Sequence, residues 1–172
     1  MSDYLSPVHL SDAHDVTGFR CTSNELATWL QKHARGSHKG GHTRVAVVTL
    51  SDSADVVAYY AIAMGSVAPA EATARMTSGG GRHPIPVIVL ARLAVDERHT
   101  GKRLGRALLL DAIRRAIAAS SDIGARAIIV HCKDTAAKDF YLSAIPEFTP
   151  LPHNPMTLAL LLKDARASLG IG

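Results

Sequence analysis

Residues 86–120 read PVIVLARLAVDERHTGKRLGRALLLDAIRRAIAAS, and no other stretch limits the fold as tightly. Residues 85–95 are a nearly continuous apolar run, the pattern of a strand buried on both faces. A short charged turn follows at residues 96–102. From about 103 to 120 the period becomes helical. That helix would bury Leu104, Ala107, Leu108, Ile113 and Ile117 and expose Arg106, Arg114 and Arg115. Strand, amide-rich turn and helix N-terminus bring unpaired N–H groups and the helix dipole to one point, which predicts an anion site. Beyond Gly124, residues 125–132 (ARAIIVHC) form another apolar strand. Two strands joined by a long helix make a βαβ unit, so the pair should be parallel.

The rest of the chain supplies further strands and short helices. Residues 7–10 read as a strand, and Phe19 to Cys21 as an apolar anchor. Thr22 or Ser23 can cap a helix on which Leu26, Trp29, Leu30 and His33 recur at helical spacing. That helix should fade at Gly36, leaving SHKGGH (residues 37–42) as a flexible basic loop. Residues 43–50 and 55–67 predict a hairpin, with Gly65 at a bulge or a close approach of other backbone. Pro69 should start a short helix through Met76. TSGGGRH (residues 77–83) reads as a mobile loop; prolines rather than a helix follow it, which argues against a phosphate cradle. Asp134 is the expected N-cap of a helix through residue 142 or 143. Residues 145–148 turn into a last strand region. Residues 150–155 read as a loop, residues 156–162 as the final strand, and residues 163–172 as a frayed or helical tail.

At 172 residues, 47% hydrophobic and 20% charged, the chain can bury one sizeable core. Cys21 and Cys132 stand in apolar surroundings, so no disulfide framework is implied and a reducing compartment is expected. The first fifteen residues carry no basic segment followed by an apolar core, so no secretory leader is expected. No apolar run is long enough to span a bilayer. The formal charge of +4 permits nucleic-acid contact without requiring it. His38 and His42 are separated by two glycines, and His131 and Cys132 point oppositely on a strand, so no metal site is expected. Cys132 has no base beside it and reads as core.

The order strand, charged glycine turn, long helix, strand, then a short helix carrying Phe-Tyr resembles the GNAT fold of acetyl-CoA-dependent N-acetyltransferases. A narrower likeness is to the GNAT toxins of type II toxin–antitoxin modules, which acetylate aminoacyl-tRNA. Phe19-Arg20-Cys21 with Leu26 and Trp29-Leu30 looks like their opening, and Tyr59-Tyr60-Ala61 like their central hairpin strand. Pro86-Val87-Ile88, Arg92-Leu93-Ala94-Val95-Asp96, Gly101-Lys102, Leu104-Gly105, Leu108-Leu109 and Asp111-Ala112 look like their cofactor core. Ala136-Ala137, Asp139 and Phe140-Tyr141 match the segment with their catalytic tyrosine. The likeness covers residues 19–162. Two departures stand out. Thr100 and Arg103 occupy the places of a long polar residue and of the first glycine in the family turn. LSAIPE separates Tyr141 from Phe148, where the family has three residues and Gly-Phe. An arginine at 103 with negative φ would still offer its N–H, and would add a guanidinium for a phosphate.

The resemblance implies an α/β fold: a single GNAT-like domain over residues 1–172, with a core at about 19–162. It would have a mixed central sheet and a βαβ acetyl-CoA-binding core. It implies acetyl-CoA as donor, with no metal. Thr100, Gly101, Lys102, Arg103, Leu104, Gly105 and Arg106 would hold the pyrophosphate. Backbone at Leu93, Ala94 and Val95 would pair with the pantetheine, and Tyr141 would be the general acid. The implied acceptor is aminoacyl-tRNA, met by Lys32, Arg35, Lys39, Arg44, Arg75, Arg82 and Arg92. Tyr59 and Tyr60 alternate on a strand, so one of them could face the acceptor. The implied partners are a cognate antitoxin of ribbon-helix-helix type and a second copy of the chain, in a bacterial cytoplasm. No carboxylate stands out as a base: Asp96 either caps the turn's amides or takes a proton. An α-amino group, with a pKa near about 8 against above about 10 for lysine, needs less help, which favours an α-amino acceptor. Two other readings stay open: a GNAT enzyme for another amine, and a module that binds acyl-CoA without turnover.

Overall fold

The computed structural model describes residues 3–171. Met1, Ser2 and Gly172, the ends of the expected domain and tail, lie outside the described residues. Among the described residues seven strands form: β1 (Val8–His9), β2 (Arg44–Thr49), β3 (Val56–Val67), β4 (Ile85–Val95), β5 (Ala127–His131), β6 (Thr149–Leu151) and β7 (Asn154–Leu161). They hydrogen-bond in the order β1-β2-β3-β4-β5-β7-β6. The sheet is mixed, as expected. β4 and β5 are parallel, from Val87↔Ala127 to Leu90↔Val130. The pairs β1–β2, β2–β3, β5–β7 and β6–β7 are antiparallel. The helices are α1 (Asn24–Lys32), α2 (Ala34–Lys39), α3 (Ala74–Thr77), α4 (Leu104–Ala119), α5 (Thr135–Ala144) and α6 (Leu162–Leu169). The chain divides into two compact units. One holds the residues up to Ala63 with Ala91–Ala112; the other holds Met64–Leu90 with the residues from Ile113 on.

In the first unit, Phe19, Leu30, Val45, Val47 and Tyr59 pack in one apolar cluster. Ser23 caps α1 by accepting from the Leu26 N–H. His33 is exposed rather than inward, and buried Ala27 and Leu30 carry the inner face. Of the loop expected at residues 37–42, residues 37–39 belong to α2, and only residues 40–42 form the turn into β2. Three contacts offset the helix-weakening effect of Gly36. Ala34 is fully buried. Ser37 Oγ and Thr43 Oγ1 are 2.8 Å apart. His38 Nδ1 accepts from the Val45 N–H at 3.0 Å.

In the second unit, Val67, Met76, Val87, Ile129, Leu151 and Leu161 share a cluster. The expected helix from Pro69 is two pieces, a 3-10 turn at Pro69–Glu71 and then α3, which Thr73 restarts by capping the Met76 N–H. The loop expected at residues 150–155 is largely a β6–β7 hairpin; β6 pairs with β7 down to Leu151↔Asn154. The tail is helical, and Gly170 ends it at φ 68°. Gly65 does mark a close approach. A Cβ there would stand 2.8 Å from Val89 Cγ2. Gly65→Ala should therefore cost about 1–3 kcal/mol by overpacking, read as a lower urea midpoint with unchanged slope.

Candidate active site

β4 changes character along its length. Ile85, Val87, Ile88 and Leu90 are buried. Beyond Leu90, where the β5 pairing ends, Ala91 is exposed and Leu93 and Val95 are half-buried, so burial on both faces holds only for the first part of the strand. The N–H and C=O groups of residues 91–95 therefore run past the last β5 partner, as backbone that pairs with a ligand must.

The strand ends on Asp96, which is fully buried. Its carboxylate accepts from the Arg98 N–H and Nε (each 2.9 Å), from Arg98 Nη2 (2.8 Å) and from the Arg20 N–H (3.0 Å). Burial pushes its pKa up, but the hydrogen bonds from the Arg98 side chain and from the Arg98 and Arg20 amides outweigh it, and the carboxyl titrates well below the usual range. Of the two roles open to Asp96, capping is the one it fills. Glu97 instead faces Arg20 at 3.6 Å on the surface.

A 3-10 turn at Glu97–His99 follows, then residues 100–103, all exposed. Gly101 has φ 77° and Arg103 φ 62°. The condition of a negative φ at Arg103 is not met: the arginine adopts the left-handed conformation that favours glycine. Its C=O accepts the first helical bond, from the Ala107 N–H at 3.1 Å, so the amides before Ala107 precede the α4 ladder. Lys102, Arg103 and Arg106 are exposed around them. Cationic side chains, a helix N-terminus and two left-handed residues suit a diphosphate. A left-handed L-residue costs about 1–2 kcal/mol. Arg103→Gly should therefore be more stable than Arg103→Ala by about 1 kcal/mol, the reverse of the order inside a helix, measured by chemical denaturation.

α4 buries Leu104, Leu108, Leu109, Ile113 and Ile117. Ala107, expected inside, is exposed and Leu109 is buried, while Arg115 is half-buried. Tyr59 and Tyr60 are both fully buried, so neither is the exposed acceptor-facing ring. Tyr59 donates to the Leu26 C=O (2.7 Å) and Tyr60 to Asp111 (2.5 Å). Burial raises the Tyr59 pKa, and the ring lies parallel to Trp29. Arg92 caps that stack, 4.4 Å from the Trp29 centroid and 4.0 Å from Glu25.

In the second unit Asp134 caps α5 through the Ala137 N–H, as expected. Tyr141 is half-exposed on that helix, in edge contact with Phe140 (5.1 Å) and Phe148 (5.9 Å). Buried Phe148 thus returns to the tyrosine despite the longer LSAIPE connection. Burial, and secondarily Cys132, raises the Tyr141 pKa. Its hydroxyl makes no hydrogen bond among the described residues. The Cys132 thiol is also raised, mainly by burial.

Five of the seven cations expected to meet RNA have partners within the chain. Arg35 and Lys39 hold Asp12 and the backbone of Ser11 and His14. Arg44 holds the His38 C=O, and Arg75 makes a two-pronged pair with Asp164 at 2.6 and 2.9 Å. Among the described residues, only Lys32 and Arg82 of the seven show no such engagement.

The acetyltransferase (GNAT) family matches residues 24–144. The chain belongs to the GNAT acetyltransferase family. It is 44% identical over 170 residues, 99% of either chain, to the tRNA-acetylating toxin of Mycobacterium tuberculosis. The fold matches a tyrosine-to-phenylalanine mutant of KacT at TM-score 0.88, with 23% identity over 97% of this chain and 99% of that one. It matches AtaT complexed with acetyl-methionyl-tRNAfMet at TM-score 0.86, with 23% identity and the same coverage. Among the described residues no helix is long and apolar enough to cross a membrane, and no group of three His, Cys, Asp or Glu side chains is placed to hold a metal ion.

Proposed function

We propose that this GNAT protein transfers the acetyl group of acetyl-CoA to the α-amino group of aminoacyl-tRNA, and so stops translation. The observation that carries the reading is the near-full-length 44% identity to a tRNA-acetylating toxin. The turn from Thr100 to Arg106 holds the pyrophosphate through its amides and exposed cations, and the backbone of residues 93–95 pairs with the pantetheine. Bound acetyl-CoA supplies an activated acyl carbon on a thioester. Tyr141 keeps its proton at neutral pH, because burial disfavours the phenolate, and gives it to the departing sulfur. Lys32 and Arg82 lead the phosphate contacts, since the other five cations would first have to leave present partners. A cognate antitoxin of ribbon-helix-helix type, a homodimer and a bacterial cytoplasm complete the reading.

The test is transfer of labelled acetyl from acetyl-CoA to a mixture of charged and uncharged tRNA. Label confined to charged tRNA is the expected result. Acetyl-CoA binding without label on any tRNA, or label on other amines only, would overturn the reading. Arg103→Ala should weaken acetyl-CoA binding several-fold in the same preparation, through loss of the guanidinium, while Arg103→Gly tells backbone from side chain.

A further inference from the structure

The second unit holds a cavity of about 320 Å³ that none of these roles uses. Val87, Val89 and Ile129 give it an apolar floor; Glu71, His131 and Thr157 give it a polar wall. His131 ends β5, and its Nδ1 lies 3.0 Å from Thr157 Oγ1 on β7. Thr157 is buried, whereas His131 is exposed to the cavity. The ring is thus held at one nitrogen by a fixed partner, and its other nitrogen makes no hydrogen bond among the described residues. When an imidazole donates Nδ1–H to such an oxygen, Nε2 keeps its lone pair.

Adjacent side chains along a strand point to opposite faces. Cys132, next after His131, is buried, and His131 lines the cavity on the opposite side of this strand end.

We propose that the cavity receives the aminoacyl end of the acceptor and that His131 Nε2 takes a proton from its α-ammonium group. The inference rests on the reading that the chain acetylates aminoacyl-tRNA. One ammonium proton passes to His131 and then to solvent. The freed nitrogen forms the C–N bond to the acyl carbon, and the C–S bond breaks. The sulfur takes the Tyr141 proton, and the second proton lost from nitrogen restores the phenol through solvent. Besides His131, the titratable groups on the cavity wall are Glu71 and His153. The Glu71 carboxylate favours a cationic acceptor there and disfavours an acidic aminoacyl side chain.

The test uses the full chain, labelled acetyl-CoA and total tRNA charged with all amino acids, at pH 6.5 to 9. His131→Gln should lower kcat/KM for charged tRNA about 100-fold at pH 6.5. The loss should shrink to below about fivefold at pH 9, where an α-amino group (pKa about 7.7–8.0) is neutral without help. Thr157→Val, which frees the ring, should give a smaller loss with the same pH trend. The KM for acetyl-CoA should not move in either variant. A purely structural residue would lower the rate equally at every pH, so a pH-independent loss overturns the inference, as does no loss. Should His131→Gln fail to fold, the Thr157→Val profile decides by the same criterion. Equal transfer to charged tRNA by the unsubstituted chain and both variants sinks this inference alone; no transfer to charged tRNA by the unsubstituted chain sinks the functional reading with it.

Discussion

Tyr141→Phe is expected to lower the rate of acetyl transfer to charged tRNA by about 10²–10⁴, with the KM for acetyl-CoA within about twofold of the parent. The substitution removes one oxygen. That oxygen has no hydrogen-bond partner among the described residues, so no buried donor or acceptor is orphaned. The edge contacts to Phe140 and Phe148 involve the ring, which phenylalanine keeps. Stability should therefore stay within about 0.5 kcal/mol, and a rate loss cannot be blamed on the fold. A phenol whose pKa burial has raised holds its proton until a thiolate begins to form, and only then is a better base at hand. The missing donor thus acts in the transition state and leaves ground-state binding alone, the pattern of lower kcat at constant KM. Single-turnover measurement with labelled acetyl-CoA reads it directly. A variant within threefold of the parent would remove Tyr141 from the chemistry and leave solvent to protonate the sulfur.

The strand–turn–helix at residues 85–120 was legible because its periods are local: an unbroken apolar run, then an apolar residue every three or four. The caps Ser23 and Asp134 were legible for the same reason, since a cap bonds three residues ahead. What stayed hidden depends on partners far along the chain. Gly36 argues against a helix until Ala34 is buried and Ser37 meets Thr43. Tyr59 and Tyr60 alternate, yet both are buried, because in this sheet both faces are covered at that point and alternation stops meaning in and out. Arg75 reads as available to RNA, yet it pairs with Asp164, 89 residues on. The Arg103 conformation is not legible in the sequence, because a non-glycine at positive φ goes against local preference and depends on tertiary context. Only family likeness marks Tyr141; no period or spacing distinguishes it from a packing tyrosine. The setting of His131 is not legible in the sequence either, since its anchor Thr157 lies 26 residues away.

Asp96→Asn is expected to destabilise the first unit by about 2–3 kcal/mol. The loss of a buried charged acceptor would by itself suggest more, but Arg98 is half-exposed and solvent screens part of the pair. The buried carboxylate gathers four donors, three from Arg98 and one from the Arg20 amide. An asparagine offers one oxygen, and its NH₂ would face at least one of those donors. The same knot ties the segment before α1 to the end of β4: the Glu97 N–H donates to the Arg20 C=O at 2.7 Å, and Arg98 Nη2 to the Gly18 C=O at 2.7 Å. At this chain length the expected loss lowers the thermal midpoint by about 4–12 °C. Its pH dependence identifies the group. A carboxyl held below its unfolded value contributes stability that is fully present above that value, near pH 3.9. The contribution is lost only as pH falls through the native value, which lies lower still. The stability gap between parent and variant should therefore be flat from pH 8 to about 5 and close only below about 4. A gap that closes near neutral pH would mean that a histidine, and not Asp96, governs the turn. No gap at all would mean that the turn keeps its shape without the buried charge, and the phosphate site would then need another explanation for its rigidity.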